Sequence, residues 1–285
     1  MRQIVLSIAT GLLFSLGAFA QKPLRVMVVF AHPDEGEIYT GGIAASFTKL
    51  GHQVKFMSLT NGDAGHYSEK PETLAKRRYQ EAMESKKILA LGDYEVLNYH
   101  DKYLKNTKEV QEKVIKSIQE WKADIVFTYY PAKGGHTDNM TAGYIVRDAA
   151  PRLQMEKMPV FVYVRDYHTI TFSYIPDFAI SIDSVWQTKL AALAAHKTQL
   201  NEAIPYSLGI LEEVKTNPEK QKEVLYNDAY PFSGATEKNL PALEKWYGKD
   251  AAAKIKYAEA FEIAEFGRQI EDNEMKTLFP MLGKL

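Results

Sequence analysis

The chain's most informative pattern is an unbroken apolar run that ends in a polar loop. Residues 26–30 read Val-Met-Val-Val-Phe, which is typical of a strand buried on both faces. Pro33 ends such a strand, so His32, Asp34 and Glu35 are predicted to lie in the loop at its carboxyl end. In open α/β sheets ligands bind at this edge. The pattern therefore predicts a functional site within the first strand and loop of the fold.

Strand-like and helix-like segments alternate from residue 25 to about residue 200. The further predicted strands are 54–59, 95–97, 124–130, 160–164 and 178–182. Apolar residues recur at helical spacing between them, in 43–50, after Pro71, in 110–121 and in 185–200. This alternation predicts an α/β fold with a doubly wound, mostly parallel, Rossmann-like sheet.

The periodic pattern is weaker beyond Pro205. Ala251, Ile255, Ala258 and Phe261 recur at helical spacing and predict one more helix. We therefore interpret residues 21–204 as the main domain and residues 205–285 as a C-terminal helical extension of that same domain.

The first twenty residues have the features of an export signal. Arg2 is followed by a largely apolar stretch and then by Ala18-Phe19-Ala20, a small-x-small cleavage site. The apolar stretch is short for a membrane span, which needs about 20 residues. We predict that residues 1–20 are a signal peptide and that the mature protein is periplasmic or secreted, without stable membrane insertion. An uncleaved anchor is the alternative.

Composition excludes several classes of function. The chain has no cysteine, which excludes a thiol nucleophile, a thiolate zinc site, a disulfide and a lipid-modified cysteine anchor. Its formal net charge is −1, and no long basic stretch is present to neutralise phosphates, so nucleic acid is not an expected partner. The sequence does not indicate an oligomeric state.

A second polar loop follows the predicted strand 124–130. It contains two glycines and then His136, Thr137, Asp138 and Asn139, and a helix is predicted to begin near Met140. Glycines allow a ligand to approach the backbone closely. Asp138 or Asn139 is alternatively the N-cap of that helix, whereas His136 has no such structural explanation.

Taken together, these loops resemble those of the PIG-L/LmbE-like deacetylases. The resemblance rests on the motifs Ala-His-Pro-Asp-Glu at 31–35, Asn-Gly-Asp-Ala-Gly-His at 61–66 and Gly-His-Thr-Asp-Asn at 135–139. It also includes Arg-Tyr-Gln-Glu at 78–81, Asp101, Ile-Asp at 182–183 and His-Lys-Thr-Gln at 196–199. The similarity covers roughly residues 24–200. It implies a zinc-dependent enzyme that removes acetyl groups from N-acetylglucosamine-containing molecules and related amides, on the doubly wound fold already inferred.

The resemblance also implies roles for individual residues. His32, Glu35 and Asn139 occupy the positions of the three metal ligands. Asp34 takes the position of the general base. His136 takes that of the group that stabilises the oxyanion or protonates the leaving amine.

Three further positions are implied to contact the substrate. Arg78 and Asp101 fall where family members contact the sugar, and His66 is a candidate for lining the substrate pocket. The alternatives are a surface ion pair between Arg78 and Glu81 and an ordinary surface role for His66. His196 lies among leucines and is predicted to be a packed, hydrogen-bonded histidine.

Two of the three ligand positions depart from the family's usual residues. Glu35 stands where aspartate is usual, and its longer carboxylate side chain can still coordinate zinc. Asn139 stands where histidine is usual, and its neutral amide oxygen is a weaker donor, so zinc affinity should fall. The site then recruits Asp138 or His136 directly, tolerates weaker occupancy, uses another divalent ion or has lost its metal.

The leading hypothesis is an exported metal-dependent hydrolase that removes the N-acetyl group from an amino sugar or glycoconjugate, with a divalent metal such as Zn²⁺. The alternative is a non-catalytic carbohydrate-binding homologue with a degenerate metal site. Both predict a small-molecule or glycan ligand. A dinucleotide-dependent enzyme is disfavoured because no Gly-x-Gly-x-x-Gly follows the first strand.

Overall fold

The computed structural model describes residues 22–132, 135–166 and 175–285, and it contains a seven-stranded sheet. The strand order is β3-β2-β1-β4-β5-β7-β6. Strands β1 to β5 run parallel to one another, whereas β7 is antiparallel to both β5 and β6. The strands are β1 Arg25–Phe30, β2 Gln53–Thr60, β3 Asp93–Tyr99, β4 Ile125–Thr128, β5 Val160–Val164, β6 Phe178–Ser181 and β7 Ala258–Gly267.

Helices connect the strands and cover the sheet. They are α1 Glu35–Lys49, α2 Pro71–Ile88, α3 Lys108–Trp121, α4 Thr137–Ala149, α5 Trp186–Leu193, α6 Ile204–Ser207, α7 Leu211–Thr216, α8 Pro218–Ser233, α9 Leu240–Tyr247, α10 Lys249–Ala252 and α11 Asp272–Leu278. Short 3₁₀ turns lie at Ala150–Arg152 and Asp183–Val185, and a π-helical turn lies at Thr198–Ala203. Helix α1 packs against α5 and α8, and α3 packs against α4. The predicted doubly wound α/β fold is confirmed.

The topology brings the two predicted site loops together. Val26 of β1 pairs with Val54 of β2 on one side and with Ile125 of β4 on the other. The chain proceeds outward from β1 to β3 and then returns to β4, so the order reverses between β1 and β4. Ligands of doubly wound proteins bind at such a reversal.

The sequence of β1 explains its central place in the sheet. Its residues from Val26 to Phe30 are at most 3% exposed, so both faces are covered. The Phe30 ring packs edge-on against Phe56 of β2 and Tyr94 of β3, with centroids 5.6 and 5.8 Å apart. Such aromatic pairs stabilise a core beyond the area that they bury.

The interpretation of residues 205–285 as purely helical is wrong. Ala258 and Phe261, which were assigned to a helix, lie in the ten-residue strand β7, between β5 and β6. The segment Ala-Glu-Ala-Phe-Glu-Ile-Ala-Glu-Phe satisfies helical and strand spacing alike, and pairing with β5 and β6 decides between them. The predicted helix 185–200 also ends earlier, at Leu193.

The C-terminal extension is bound to the rest of the chain by a buried ion pair. Lys189 Nζ of α5 lies 2.7 Å from Glu259 Oε1 of β7, and both side chains are at most 1% exposed. Glu259 also accepts hydrogen bonds from the Gly42 and Ile43 amides of α1, at 2.8 and 2.7 Å. Removing one member of such a pair leaves an uncompensated buried charge, so β7 and α1 depend on each other.

The predicted signal peptide, residues 1–20, lies outside the described residues. Within the described residues, the structure has no helix with both the length and the apolar character needed to cross a membrane.

Candidate active site

The centre of the site is the imidazole of His32, which follows β1 and is 8% exposed. Three carboxylates surround it. Its Nδ1 lies 3.0 Å from Glu35 Oε1, and its Nε2 lies 2.9 Å from Asp101 Oδ1 and 3.4 Å from Asp138 Oδ2. The loops after β1, β3 and β4 thus converge on one ring, as the topology predicts.

This arrangement favours positive charge at the centre. Burial alone would lower the pKa of His32, but Glu35, Asp101 and Asp138 outweigh burial and raise that pKa well above 6.5. Burial alone would raise the pKa of Asp101, but His32 lowers it to about 2. The carboxylates are therefore arranged to hold a cation beside or on the imidazole.

Glu35 turns back onto its own loop. Its Oε1 contacts the His32 ring, and its Oε2 accepts hydrogen bonds from the Ala31 and His32 amides at 3.0 and 2.8 Å. Burial opposes its ionisation, but His32 lowers the pKa of the Glu35 carboxyl. The carboxylate fixes the orientation of the imidazole from behind, a common arrangement around histidine ligands. The assignment of Glu35 as a direct metal ligand stays a prediction.

Asp34 has a strained backbone and a buried carboxylate. Its φ of 124° lies in a region that residues other than glycine rarely adopt. The residue is 9% exposed, and its Oδ2 lies 2.9 Å from Arg78 Nη2. Burial raises the pKa of Asp34 to about 6, against the opposing effect of Arg78. A carboxylate with this pKa suits proton transfer near neutral pH.

Arg78 of α2 is fixed by the loops that hold Asp34. It is 2% exposed and donates to the carbonyls of Pro33 and Gly62 as well as to Asp34. The alternative prediction of a surface ion pair between Arg78 and Glu81 is wrong. Glu81 instead accepts hydrogen bonds from the Thr198 amide and hydroxyl. Arg78 positions the candidate base, and its predicted contact with the substrate stays a prediction.

The loop after β4 leads into helix α4, whose N-cap is not one of the two predicted residues. Helix α4 begins at Thr137, and its N-cap is His136, whose Nδ1 accepts a hydrogen bond from the Asp138 amide at 3.2 Å. Neither Asp138 nor Asn139 is the N-cap. The His136 ring packs edge-on against the His32 ring, with centroids 4.9 Å apart.

Asp138 and Asn139 are both 1% exposed. Asp138 Oδ2 accepts a hydrogen bond from the Lys102 amide at 2.7 Å. Asp138 Oδ1 and Asn139 Oδ1 have no hydrogen-bond partner among the described residues. Buried oxygens normally have partners, so these two are available to a ligand that donates or is positively charged.

The donor set fits a divalent cation. His32, His136 and Asp138 each offer one ligand atom, and these atoms lie within 4.8 Å of one another. Zinc binds nitrogen and oxygen at about 2.0–2.2 Å, which separates two ligands of a tetrahedral ion by about 3.3–3.6 Å. The His32 Nε2–Asp138 Oδ2 distance of 3.4 Å matches this separation.

His66 belongs to a different cluster. Its Nε2 lies 3.0 Å from Glu202 Oε2, and its Nδ1 accepts hydrogen bonds from the Ser68 and Glu69 amides. Arg77 donates to both Glu69 and Glu202. The carboxylates of this cluster are therefore already neutralised by a resident cation.

Two carboxylates near the site, one buried and one half-buried, were not predicted from the sequence. Glu37 is 0% exposed, and its Oε1 lies 3.1 Å from His196 Nε2; the buried His196 confirms the predicted packed histidine. Asp63 accepts a hydrogen bond from the Asp101 amide at 2.9 Å and so fixes the loop that carries Asp101. Asp63 lies in the motif at 61–66 and Glu37 follows the motif at 31–35 by two residues, so both were close to predicted site residues, which was the available signal.

Comparisons with known proteins point to one family. The family described as PIG-L, GlcNAc-PI de-N-acetylase, matches residues 27–150. A probable N-acetyl-alpha-D-glucosaminyl L-malate deacetylase 2 of Bacillus cereus is 31% identical over 184 residues, which are 61% of this chain and 83% of that protein. A diacetylchitobiose deacetylase of Thermococcus kodakarensis is 26% identical over 191 residues, 63% of this chain and 72% of that protein.

The fold itself also occurs with another reaction. The structure of a 4-carboxy-2-hydroxymuconate hydratase of Pseudomonas putida has a TM-score of 0.66 to this chain at 18% identity, covering 87% of this chain and 99% of that one. At this identity the likeness shows the fold alone, so the chemistry has to be argued from the site.

Proposed function

This chain belongs to the PIG-L family, and we propose that it is an exported, metal-dependent hydrolase that removes the N-acetyl group from an amino sugar or glycoconjugate. The two relatives named above are deacetylases of N-acetylated sugars by name. The reaction adds water to an amide and yields acetate and a free amine. The observation that carries the proposal is Asp34, a strained and buried carboxylate beside the His32 cluster.

Amides resist hydrolysis because the carbonyl is weakly electrophilic and the amine leaves poorly. A bound divalent metal supplies an activated water and polarises the carbonyl. His32 Nε2 and the Asp138 carboxylate would hold it, with Asn139, whose amide oxygen has no other partner among the described residues, as the predicted third ligand. Nitrogen and oxygen donors of this kind suit Zn²⁺.

Asp34 is assigned as the general base. Its ion pair with Arg78 holds the carboxylate in one orientation, while burial keeps its pKa at about 6. A base in this range is ionised at neutral pH and still basic enough to accept the proton of the attacking water. A positioned base contributes about 10²–10⁴-fold to the rate.

His136 is assigned as the group that stabilises the oxyanion. Because its Nδ1 accepts from the Asp138 amide, a neutral ring carries its proton on Nε2. That N–H can donate to the carbonyl oxygen and stabilise the negative charge that develops there, and the departing amine takes the proton that Asp34 accepted from the water. With His136 in this role, Asp138 is the residue of the loop that would bind the metal.

A non-catalytic carbohydrate-binding role is the second candidate, and Asn139 is the observation that favours it. Its amide oxygen takes the position where the family's usual ligand is an imidazole. One experiment separates the two candidates: metal content of the purified mature protein by elemental analysis, beside acetate release from N-acetylglucosamine oligomers. Metal near one equivalent with acetate release supports the hydrolase, whereas sugar binding without metal or acetate supports the alternative.

Export is proposed from the Ala18-Phe19-Ala20 site that follows the apolar run. Cleavage after Ala20 leaves a chain that starts at Gln21 and, because Arg2 is the single charged residue removed, changes the formal net charge from −1 to −2. Mass spectrometry of protein from the native cell envelope tests this. An intact segment 1–20 would contradict it.

A further inference from the structure

Three aromatic rings form a stack beside the candidate site, and the outer two are exposed. The Tyr67 and Tyr206 rings lie 3.9 Å apart and within 13° of parallel, and the His66 and Tyr67 rings lie 4.3 Å apart at 24°. Among the described residues, Tyr67 therefore has a ring on each face and Tyr206 is the last ring of the stack. Tyr67 is 40% exposed and Tyr206 is 54% exposed, so both tyrosines are accessible to a ligand.

The stack is held rigidly, unlike most exposed tyrosines. Its innermost ring, His66, is fixed by Glu202 at 3.0 Å and by the Ser68 and Glu69 amides at 3.2 Å. Arg77 in turn ties Glu69 to Glu202. A surface that is already ordered loses little conformational entropy when it binds a ligand.

The stack adjoins the candidate active site through Gly65. A Cβ at this position would lie 3.1 Å from Arg78 Nη1 and 3.5 Å from Asp101 Oδ2, so the backbone here touches the site. Gln199 donates a hydrogen bond to the Gly65 carbonyl at 3.1 Å. Tyr67 follows Gly65 by two residues, which places their Cα atoms within about 7.6 Å of each other.

Polar groups lie beside His66, the inner ring of the stack. Arg77 and Glu202 also line a cavity of about 420 Å³, together with Asn201 and Lys197. A pyranose ring presents C–H groups on one face and hydroxyls around its edge, which matches a tyrosine face beside polar side chains. A nucleobase would stack equally well, but Arg77 is already paired with Glu69 and Glu202 and is not available to the phosphates that accompany it.

We propose that His66, Tyr67 and Tyr206 form a subsite for a second sugar ring, so that the preferred substrate is an oligosaccharide or glycoconjugate longer than one amino sugar. This inference rests on the proposed function and deepens it. The second sugar would stack on the outer ring, Tyr206. Tyr67 stacks between Tyr206 and His66, and the hydrogen bonds of His66 hold the stack in place. The predicted substrate role of His66 thereby becomes that of a positioning residue.

The test measures by calorimetry the affinity for the tetrasaccharide of N-acetylglucosamine and for the monosaccharide. The proteins compared are the wild type, Tyr206→Ala and Tyr206→Trp. Loss of one stacking ring is expected to weaken binding of the tetrasaccharide by about 3- to 10-fold and to affect binding of the monosaccharide much less. Tryptophan keeps a stacking face and should keep the affinity. Tyr79→Ala, which removes a tyrosine that is 49% exposed on α2, is the matched control and should bind like the wild type.

Thermal unfolding of each variant confirms that it is folded before its affinity is compared. Equal tetramer affinity for Tyr206→Ala and the wild type would overturn the subsite, even if acetate is released. Equal weakening by Tyr79→Ala would overturn it as well. If the wild type releases no acetate from any N-acetyl sugar but binding still depends on Tyr206, the proposed hydrolase fails and the subsite stands.

Discussion

Among the described residues, two clusters of histidine and carboxylates could hold a metal ion, and they differ in what neutralises them. His66, Glu69 and Glu202 have the composition of a metal site, but Arg77 binds both carboxylates. Around His32, Asp138 keeps one buried carboxylate oxygen with no hydrogen-bond partner among the described residues. Glu69 also keeps one such oxygen, Oε2, so what separates the clusters is the arginine: Asp138 pairs with His32 and with no lysine or arginine among the described residues.

This difference shows why composition and proximity alone do not identify a metal site. A carboxylate pair with an arginine between its members already has its charge compensated. A buried carboxylate without such a cation is costly, and it persists where a cation will bind it.

The largest effect is expected for Asp34→Asn. Turnover should fall by about 10²-fold or more, because the amide cannot accept a proton, while bound metal should stay at the wild-type level because Asp34 is not a ligand. Acetate release and elemental analysis measure the two quantities. Equal loss of metal and activity would show that Asp34 coordinates the ion.

Asp138→Asn and Glu69→Gln test the contrast between the clusters directly. Asp138→Asn removes a charged ligand and should weaken zinc binding at least about ten-fold, since even residues behind a ligand are worth that much. Glu69→Gln removes a carboxylate of the same charge from the cluster that Arg77 occupies and should leave zinc affinity unchanged. Calorimetric zinc titration of both variants is the measurement, and matching losses would refute the distinction.

Asn139→His tests whether the departure from the family's usual ligand limits metal binding. An imidazole in place of the unpartnered amide oxygen should tighten zinc binding by about ten-fold, which corresponds to about 1.4 kcal/mol. The fold should be retained, as thermal unfolding will show. Unchanged zinc affinity in a folded variant would mean that Asn139 lies outside the ligand set.

The smallest expected effects are on the pH dependence of native stability, where Glu202 and Asp228 act with opposite signs. Arg77 lowers the pKa of Glu202, so this carboxylate stabilises the native state above about pH 4.5 and loses its contribution as the pH falls. Burial raises the pKa of Asp228 on α8 to about 7, so ionising Asp228 costs native stability increasingly from about pH 4 up to pH 7.

At pH 7.5, Glu202→Gln is therefore expected to be less stable than the wild type, by up to about 1 kcal/mol for a partly exposed pair, and Asp228→Asn is expected to be more stable. The Asp228 difference should vanish below about pH 4, whereas the Glu202 difference should shrink as the pH falls below 4.5. Urea unfolding at pH 7.5 and pH 4 measures them. A stability gain for Glu202→Gln at pH 7.5 would contradict the view that Arg77 satisfies the second cluster.

The sequence by itself determined the architecture up to residue 200 and the position of the site. The unbroken apolar residues of β1 require a strand covered on both faces, and Pro33 ends it, so His32 and Asp34 had to lie at the carboxyl edge. These are local constraints that a short segment carries in its own pattern. The motifs at 31–35 and 135–139 were likewise sufficient to indicate the family.

Tertiary structure alone decided which atoms face the site and where the ambiguous segments lie. Glu35 turns back to the amides of its own loop, Arg78 is fixed by carbonyls from two loops, and His66 joins Glu202 from far along the chain. Residues 258–267 fit a helix and a strand equally well until β5 and β6 offer edges for pairing. Hydrogen-bond and ion-pair partners distant in sequence settle these choices, and a linear pattern does not contain them.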